Sequence, residues 1–278
     1  MKLTVLVDNN TYIDRYFIGE PAVSYFIEVD GMNILFDLGY SDAFIKNAFK
    51  MNINLRLLDY VIFSHGHSDH TWGLDPFIRL LSEASLESIP FKRPTFLSHP
   101  TAYESKLFEG NEIGSIVSAS KLQKQFDLKF SKEPIQLSER FFYLGEIEKT
   151  NRFEGQTPIG ETYIDDKLVE DYIIDDTALV YKGQDGLVII AGCSHAGICN
   201  TIEYAKKVTG ESRVHDVIGG FHLQNPSDTQ LSGTVEYFKK LNPNFIHACH
   251  CTDLHSKIAL AKVGNVKEVG VGLRLEYK

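Results

Sequence analysis

Cysteine is scarce. Four thiols in 278 residues are too few for a disulfide-stapled scaffold, so the expected compartment is the reducing cytoplasm. Long apolar runs are missing as well. No stretch approaches the ~20 residues that cross a bilayer, and the opening MKLTVLVDNN has only a short apolar run before Asp8 and no small-residue cleavage site. Neither membrane association nor export is expected. Positive charge is in deficit: 28 Lys and Arg against 37 Asp and Glu give a net charge of −9, which argues against a nucleic-acid partner, since that would need a broad basic face. There is no linker rich in Pro, Gly or Ser and no short-period repeat. The expectation is a single domain over residues 1–278 with a less regular insertion around 100–176. With 43% hydrophobic and 23% charged residues, the composition is that of an ordinary globular protein.

Hydrophobic patterning then gives alternating strands and helices. Residues 3–7, 22–29 and 33–37 read as strands, with Asp30-Gly31 between the last two as a hairpin signal. A helix is expected over 41–51, with Phe44, Ile45, Ala48 and Phe49 recurring at helical spacing. A strand at 60–63 follows, then a helix through Pro76, Phe77, Leu80 and Leu81, with Pro near its first turn. The second half repeats the scheme loosely: strands at 178–181 and 187–191, a helix at 196–207, a strand at 216–218, a helix at 231–241, a strand at 245–248 and a last strand at 266–271. Between the halves, the acids Glu161, Asp165, Asp166, Glu170, Asp171, Asp175 and Asp176 are expected to face water.

The chemistry concentrates where strands end. Residues 63–70 read FSHGHSDH, placing three imidazoles and a carboxylate in six consecutive positions directly after the 60–63 strand. Neutral imidazole and ionised carboxylate are the ligands that zinc, iron or manganese accepts. Alternate residues of an extended segment point the same way, so His65 and His67 can grip one ion, while Asp69 and His70 can reach a second. Single histidines are usually surface or hydrogen-bonded core residues; packed this closely they are costly to desolvate without a cation. Three later strands also finish at a histidine, in Gly192-Cys193-Ser194-His195, Gly219-Gly220-Phe221-His222 and Cys249-His250-Cys251.

His65-Gly66-His67-Ser68-Asp69-His70 resembles the signature of the metallo-β-lactamase fold superfamily, and the resemblance runs over nearly the whole chain. It implies an α/β fold of the four-layer αββα sandwich type and one or two divalent ions, zinc first, with iron or manganese as alternatives. It also implies His195 as the third ligand of the first metal, His250 as the last ligand of the second, and Asp37, in Asp37-Leu38-Gly39, as a residue orienting a ligand or its loop. Asp69 is then both ligand and catalytic carboxylate. The blocks Gly192-Cys193-Ser194-His195-Ala196-Gly197, Gly219-Gly220-Phe221-His222-Leu223 and Cys249-His250-Cys251-Thr252 resemble a narrower branch, named after the dihydropterin-transferring 7,8-dihydropterin-6-ylmethyl-4-(β-D-ribofuranosyl)aminobenzene 5′-phosphate synthase. One departure stands out. Two-metal relatives place a bridging aspartate where this chain has His222, and one imidazole nitrogen cannot span two cations. His222 therefore binds one ion only, or leaves the bridge to a hydroxide, or belongs to a site with a single metal.

The net positive charge of such a site implies an anionic small-molecule substrate carrying phosphate. The resulting expectation is a metal-dependent hydrolase using hydroxide, with two alternatives: a transferase joining a dihydropterin diphosphate to a ribofuranosylaminobenzene phosphate, or a non-catalytic metal-binding or sensing protein. Trp72, the single tryptophan, stands where relatives have a small residue and either stacks on a substrate ring or packs into a neighbouring loop. His99 either contacts substrate or is an ordinary buried histidine. Backbone N–H groups of the helix after His195 are expected to be open to an anion. Ser194 beside His195 is a poor nucleophile–base pair, because neighbours on a strand face opposite ways. Cys249 and Cys251 lack the second pair that marks a structural zinc site. His215, His247 and His255 have no ligand-like context, and the sequence leaves the oligomeric state open.

Overall fold

The computed structural model describes residues 1–164 and 167–278; Asp165 and Asp166 lie outside the described residues. Packing divides the chain into two compact units. One comprises Met1–Ser131, Gly160–Asp171 and Gly270–Tyr277, the other Lys132–Ile159 and Tyr172–Val269 with Lys278. No described helix is long and apolar enough to cross a membrane.

Among the described residues, the first unit holds a seven-stranded sheet in the order Arg274–Glu276, Lys2–Val7, Ser24–Val29, Met32–Phe36, Tyr60–Ile62, Thr95–Ser98, Leu128–Phe130. Strands are antiparallel from the edge to Met32–Phe36 and parallel beyond it. The Asp30-Gly31 hairpin forms as expected: both residues have positive φ, 47° and 81°, and Val29 pairs with Met32. Two positive-φ residues in a two-residue loop match the right-handed twist of the strands they join.

Against this sheet pack the helices Ala43–Lys50 and Leu74–Leu86, whose Phe44 and Phe77 join Phe63, Phe96 and Phe126 in one buried cluster. The first helix turns slightly differently from expectation. Phe49 is 82% exposed, and Asn47 is buried instead, its amide donating to Leu6 O at 2.9 Å and Ile18 O at 2.8 Å and accepting from Ile18 N. Three bonds to backbone offset the cost of burying the amide, which periodicity counted on apolar residues alone does not register.

The second unit carries a six-stranded sheet, Phe245–Cys249, Val214–Gly220, Gly186–Ala191, Ala178–Gly183, Phe141–Tyr143, Ile135–Gln136. Here the first three strands run parallel and the rest antiparallel. Helices Ile198–Thr209 and Asp228–Leu241 contribute Ile202, Ala205 and Phe238 to its core. Both units thus have the same plan. Parallel strands all end at one edge of their sheet, so consecutive carboxyl ends, and the loops they feed, gather there.

Three expectations need correction. Residues 266–271 do not form a strand: Val266 and Val271 make only isolated bridges, to Ile246 and Thr11, and the terminal strand is Arg274–Glu276 on Lys2–Val7. The alternating valines satisfy two separate neighbours instead of one. A helix at Leu254–Ala261 was not anticipated, because Leu254 and Ile258 on it are exposed; its signal is the cap Asp253, whose Oδ1 accepts from Ser256 N at 2.7 Å. The acids of the middle segment divide. Glu161 and Glu170 face water, whereas Asp171, Asp175 and Asp176 are buried.

Asp171 is buried because it neutralises Lys106. Both residues are at most 2% exposed and the ion pair is 2.8 Å long. The lysine lies under the FSHGHSDH loop, where a Cβ on Gly66 would meet Lys106 Cε at 2.9 Å and Ala102 O at 2.5 Å. Short strands Lys106–Phe108, Asn111–Glu112, Glu161–Ile164 and Lys167–Glu170 form a small sheet around this pair. Asp171→Ala removes the counter-charge of a desolvated ammonium and is expected to cost about 3–5 kcal/mol, read as a lowered urea midpoint at unchanged m-value; Lys106→Met with Asp171→Leu should recover most of it.

Candidate metal centre

In the first unit the donors are set by one carboxylate. Asp37 and Ser64 leave the ends of two neighbouring parallel strands, and Asp37 N donates to Ile62 O at 2.9 Å, extending the ladder to the strand end. Asp37 is completely buried. Its Oδ1 accepts from Ser64 N at 2.7 Å, and its Oδ2 accepts from Ser64 Oγ at 2.7 Å. The same Oδ2 lies 2.7 Å from His70 Nδ1. A carboxylate only accepts, so His70 Nδ1 carries a proton, and in the neutral ring the lone pair is on Nε2. Ser64 has spent its hydrogen on Asp37. Toward His65 Nδ1, 2.9 Å away, it therefore accepts, which fixes the same tautomer in the second ring.

These bonds aim two lone pairs away from Asp37. His70 Nε2 lies 3.6 Å from Asp69 Oδ2, a carboxylate 30% exposed, close to the ~3.4 Å edge between two ligands on one tetrahedral zinc. His65 and His67 each offer a ring nitrogen, and these atoms lie within 4.8 Å of each other. His67 precedes the helical turn Ser68–Thr71, so one tight turn brings Asp69 and His70 onto the same loop.

In the second unit, three consecutive parallel strands deliver the remaining residues: Gly186–Ala191 leads to Cys193 and His195, Val214–Gly220 to His222, and Phe245–Cys249 to His250 and Cys251. The His195 and His222 rings are 4.4 Å apart. His250 Nε2 lies 3.1 Å from Cys193 Sγ. Ser194, His222 and His250 have φ values of 58°, 48° and 50°, and Asp37 in the first unit has 59°. Left-handed conformations of this kind in residues other than glycine cost of order 1 kcal/mol or more and persist only when neighbours hold them. The restraints are visible: Ser194 Oγ donates to Gly220 O at 2.8 Å, Phe221 N to Thr252 Oγ1 at 3.0 Å and His222 N to Cys251 Sγ at 3.3 Å. Ser194 is thereby a structural hydroxyl, not a nucleophile paired with His195.

The helix N-terminus after His195 is not open to an outside anion. Glu154, 3% exposed, already occupies it, accepting from Asn200 N at 2.6 Å and Cys199 N at 3.3 Å. Burial raises its pKa, and these amides act against the rise. Gly197 is required there, because its φ is 100° and a Cβ would fall 2.2 Å from Glu154 Cδ. Asp176 secures the same loop by accepting from Ala196 N at 2.9 Å. Burial pushes its carboxyl up to about 7, with the Ala196 and His195 amides and His222 opposing and Asp175 assisting.

The other expected residues have local partners. Trp72 Nε1 donates to Gly114 O at 2.7 Å and its ring stacks on Tyr40 at 4.9 Å, which is the packing alternative for this side chain. His99 is 1% exposed and caps the turn Pro100–Tyr103, with Thr101 N and Oγ1 at 3.2 and 2.8 Å from Nδ1. His247 pairs with buried Asp216 at 2.9 Å. In the sequence Ser64 and Glu154 go unmarked, Asp176 reads as a solvated acid, and Cys193 stands only within the block that ends at His195. The trace Ser64 and Cys193 leave there is that of small or thiol residues one and two positions before a strand-end histidine.

The chain matches the family description "Metallo-beta-lactamase superfamily" over residues 18–207. It is 30% identical to the 7,8-dihydropterin-6-methyl-4-(beta-D-ribofuranosyl)-aminobenzene-5'-phosphate synthase of Methanocaldococcus jannaschii, over 91% of this chain and 87% of that protein. An uncharacterized protein of the same organism, MJ0448, is 32% identical over 95% of each chain. The crystal structure of Tm1679, a metal-dependent hydrolase of the β-lactamase superfamily, superposes with a TM-score of 0.83 at 28% identity, covering 99% of this chain and 98% of that one. With its α/β architecture and strand-end histidines, this chain belongs to the metallo-β-lactamase superfamily.

Proposed function

We propose that the chain is a divalent-metal-dependent hydrolase of anionic, phosphate-containing small molecules, with His65, His67, Asp69, His70, His195, His222 and His250 as ligands. Zinc is the ion that best suits this imidazole-rich set. The observation that carries the reading is the buried contact of Asp37 Oδ2 with His70 Nδ1 at 2.7 Å. It holds the imidazole in the tautomer a metal needs, with Nε2 3.6 Å from Asp69 Oδ2, a separation that two ligands of one cation would have. The similarity to a metal-dependent hydrolase along nearly the full length of both chains supports it.

When bound, the divalent ions supply Lewis acidity and a hydroxide at neutral pH. The residues do the rest. Asp37 and Ser64 orient His70 and His65, and Asp69 contributes the negative charge of its loop. Asp176 and Glu154 fix the backbone that follows His195. Because Glu154 fills the helix N-terminus, attraction for phosphate falls to the metal centre. Trp72 and His99, already partnered within their own unit, take no part in this reading.

A second reading is synthesis of a dihydropterin–ribofuranosylaminobenzene phosphate, favoured by the 30% identity to the archaeal synthase over most of both chains. The deciding experiment incubates zinc-loaded protein with a chromogenic phosphodiester and, separately, with a dihydropterin diphosphate plus a ribofuranosylaminobenzene phosphate. Metal-dependent release of the chromophore alone supports the hydrolase. Condensation without appreciable hydrolysis replaces it with the synthase, and stoichiometric metal with neither reaction leaves a sensor.

His67→Ala is expected to remove metal and activity together while the far-ultraviolet circular dichroism stays native; full zinc content in the purified variant would defeat the ligand assignment. Asp37→Asn places an amide, which also donates, against Ser64 and His70 and no longer dictates the imidazole tautomer. Competition with a chromophoric chelator should show zinc affinity reduced by about 10–100-fold.

A further inference from the structure

We propose that Cys193 is itself a metal ligand, its thiolate standing in for the carboxylate that the sequence lacks after Val214–Gly220. The inference rests on the metal-centre reading above and adds a donor of a different element. Its basis lies within the second unit. The three histidines contributed there, His195, His222 and His250, are neutral as ligands, so any negative charge the second unit brings to a cation must come from a thiolate or a carboxylate. Asp176, the buried carboxylate beside them, has Oδ2 engaged by the Ala196 amide and Oδ1 buried without a hydrogen-bond partner, with no ring-nitrogen contact comparable to that of Cys193 among the described residues.

Cys193 is 3% exposed and places Sγ 3.1 Å from His250 Nε2. A thiolate at ~2.3 Å and an imidazole nitrogen at ~2.0 Å on one tetrahedral ion are about 3.5 Å apart. The two donors therefore need to separate by only a few tenths of an ångström to admit zinc.

The surroundings hold this sulfur in place. Cys251 Sγ donates to Cys193 O at 3.5 Å and receives His222 N at 3.3 Å, tying together the loops of all three parallel strands. Gly220 makes room for the arrangement: a Cβ there would lie 2.6 Å from Cys251 Sγ and 3.2 Å from Cys193 Cα. Cys199 is unsuited to the same role, since burial and Glu154 raise its pKa well above the ordinary thiol value. On binding, the Cys193 S–H bond breaks, the sulfur keeps the electron pair for the cation, and the proton passes to water.

Cobalt(II) replaces zinc with the same ligands and reports sulfur directly, because only a thiolate ligand gives an intense sulfur-to-cobalt charge-transfer absorption in the near ultraviolet. The expected result is one such band in the cobalt-loaded wild type, absent from C193S and retained in C251S and C199S. C193S should also bind cobalt more weakly by over ~100-fold, beyond the range seen for residues that merely support a ligand. Stoichiometric cobalt with no band in the wild type overturns this inference and leaves the proposed function standing; a band that survives C193S overturns it as well. Failure of the wild type to bind cobalt or zinc at all takes down both. The wild-type spectrum is read even where C193S does not fold, so the outcome does not depend on that variant.

Discussion

A carboxylate with no exposed surface orders the first unit's donors. Asp37 collects the Ser64 amide, the Ser64 hydroxyl and the His70 ring, so the direction of every proton in this small network follows from the fact that a carboxylate cannot donate. The serine hydroxyl has one hydrogen, already committed, and must therefore accept from His65. Two rings are thus set by one charge, with no freedom left for either tautomer. A buried charge is expensive, and Asp37 is tolerated because its neighbours supply N–H and O–H donors at close range.

The same economy appears in the turns at the strand ends. Both units use a mixed sheet whose parallel strands end in short, sharply turned loops, and several of those turns are made by residues other than glycine in left-handed conformations. Glycine would turn more easily but would bring no donor to the strand end. Ser194, His222 and His250 combine the turn with a side chain, and the hydrogen bonds that Gly220, Thr252 and Cys251 accept from Ser194, Phe221 and His222 hold the strained loops.

Much of this was legible beforehand for a simple reason. Histidines that follow apolar runs report strand ends, and strand ends are where sheet-and-helix folds collect ligands. The spacing of His65, His67, Asp69 and His70 reflects local geometry alone, so it survives in the sequence. What stayed hidden is non-local. Glu154 sits in an irregular segment and meets Asn200 only through the fold. Asp171 looked like one more solvated acid because its partner, Lys106, is far away along the chain. Asn47 displaced Phe49 from the buried face because hydrogen bonds to Leu6 and Ile18, not hydrophobicity, decided the rotation of the helix. Valines at 266 and 271 mimic a strand while serving two different neighbours.

The lysine beneath Gly66 bears on how the protein matures. As the polypeptide is made, the histidine-rich loop is complete long before Asp171 emerges to balance the ammonium that props it. The loop's final shape thus waits on a contact of high sequence separation, a slow kind of step in folding.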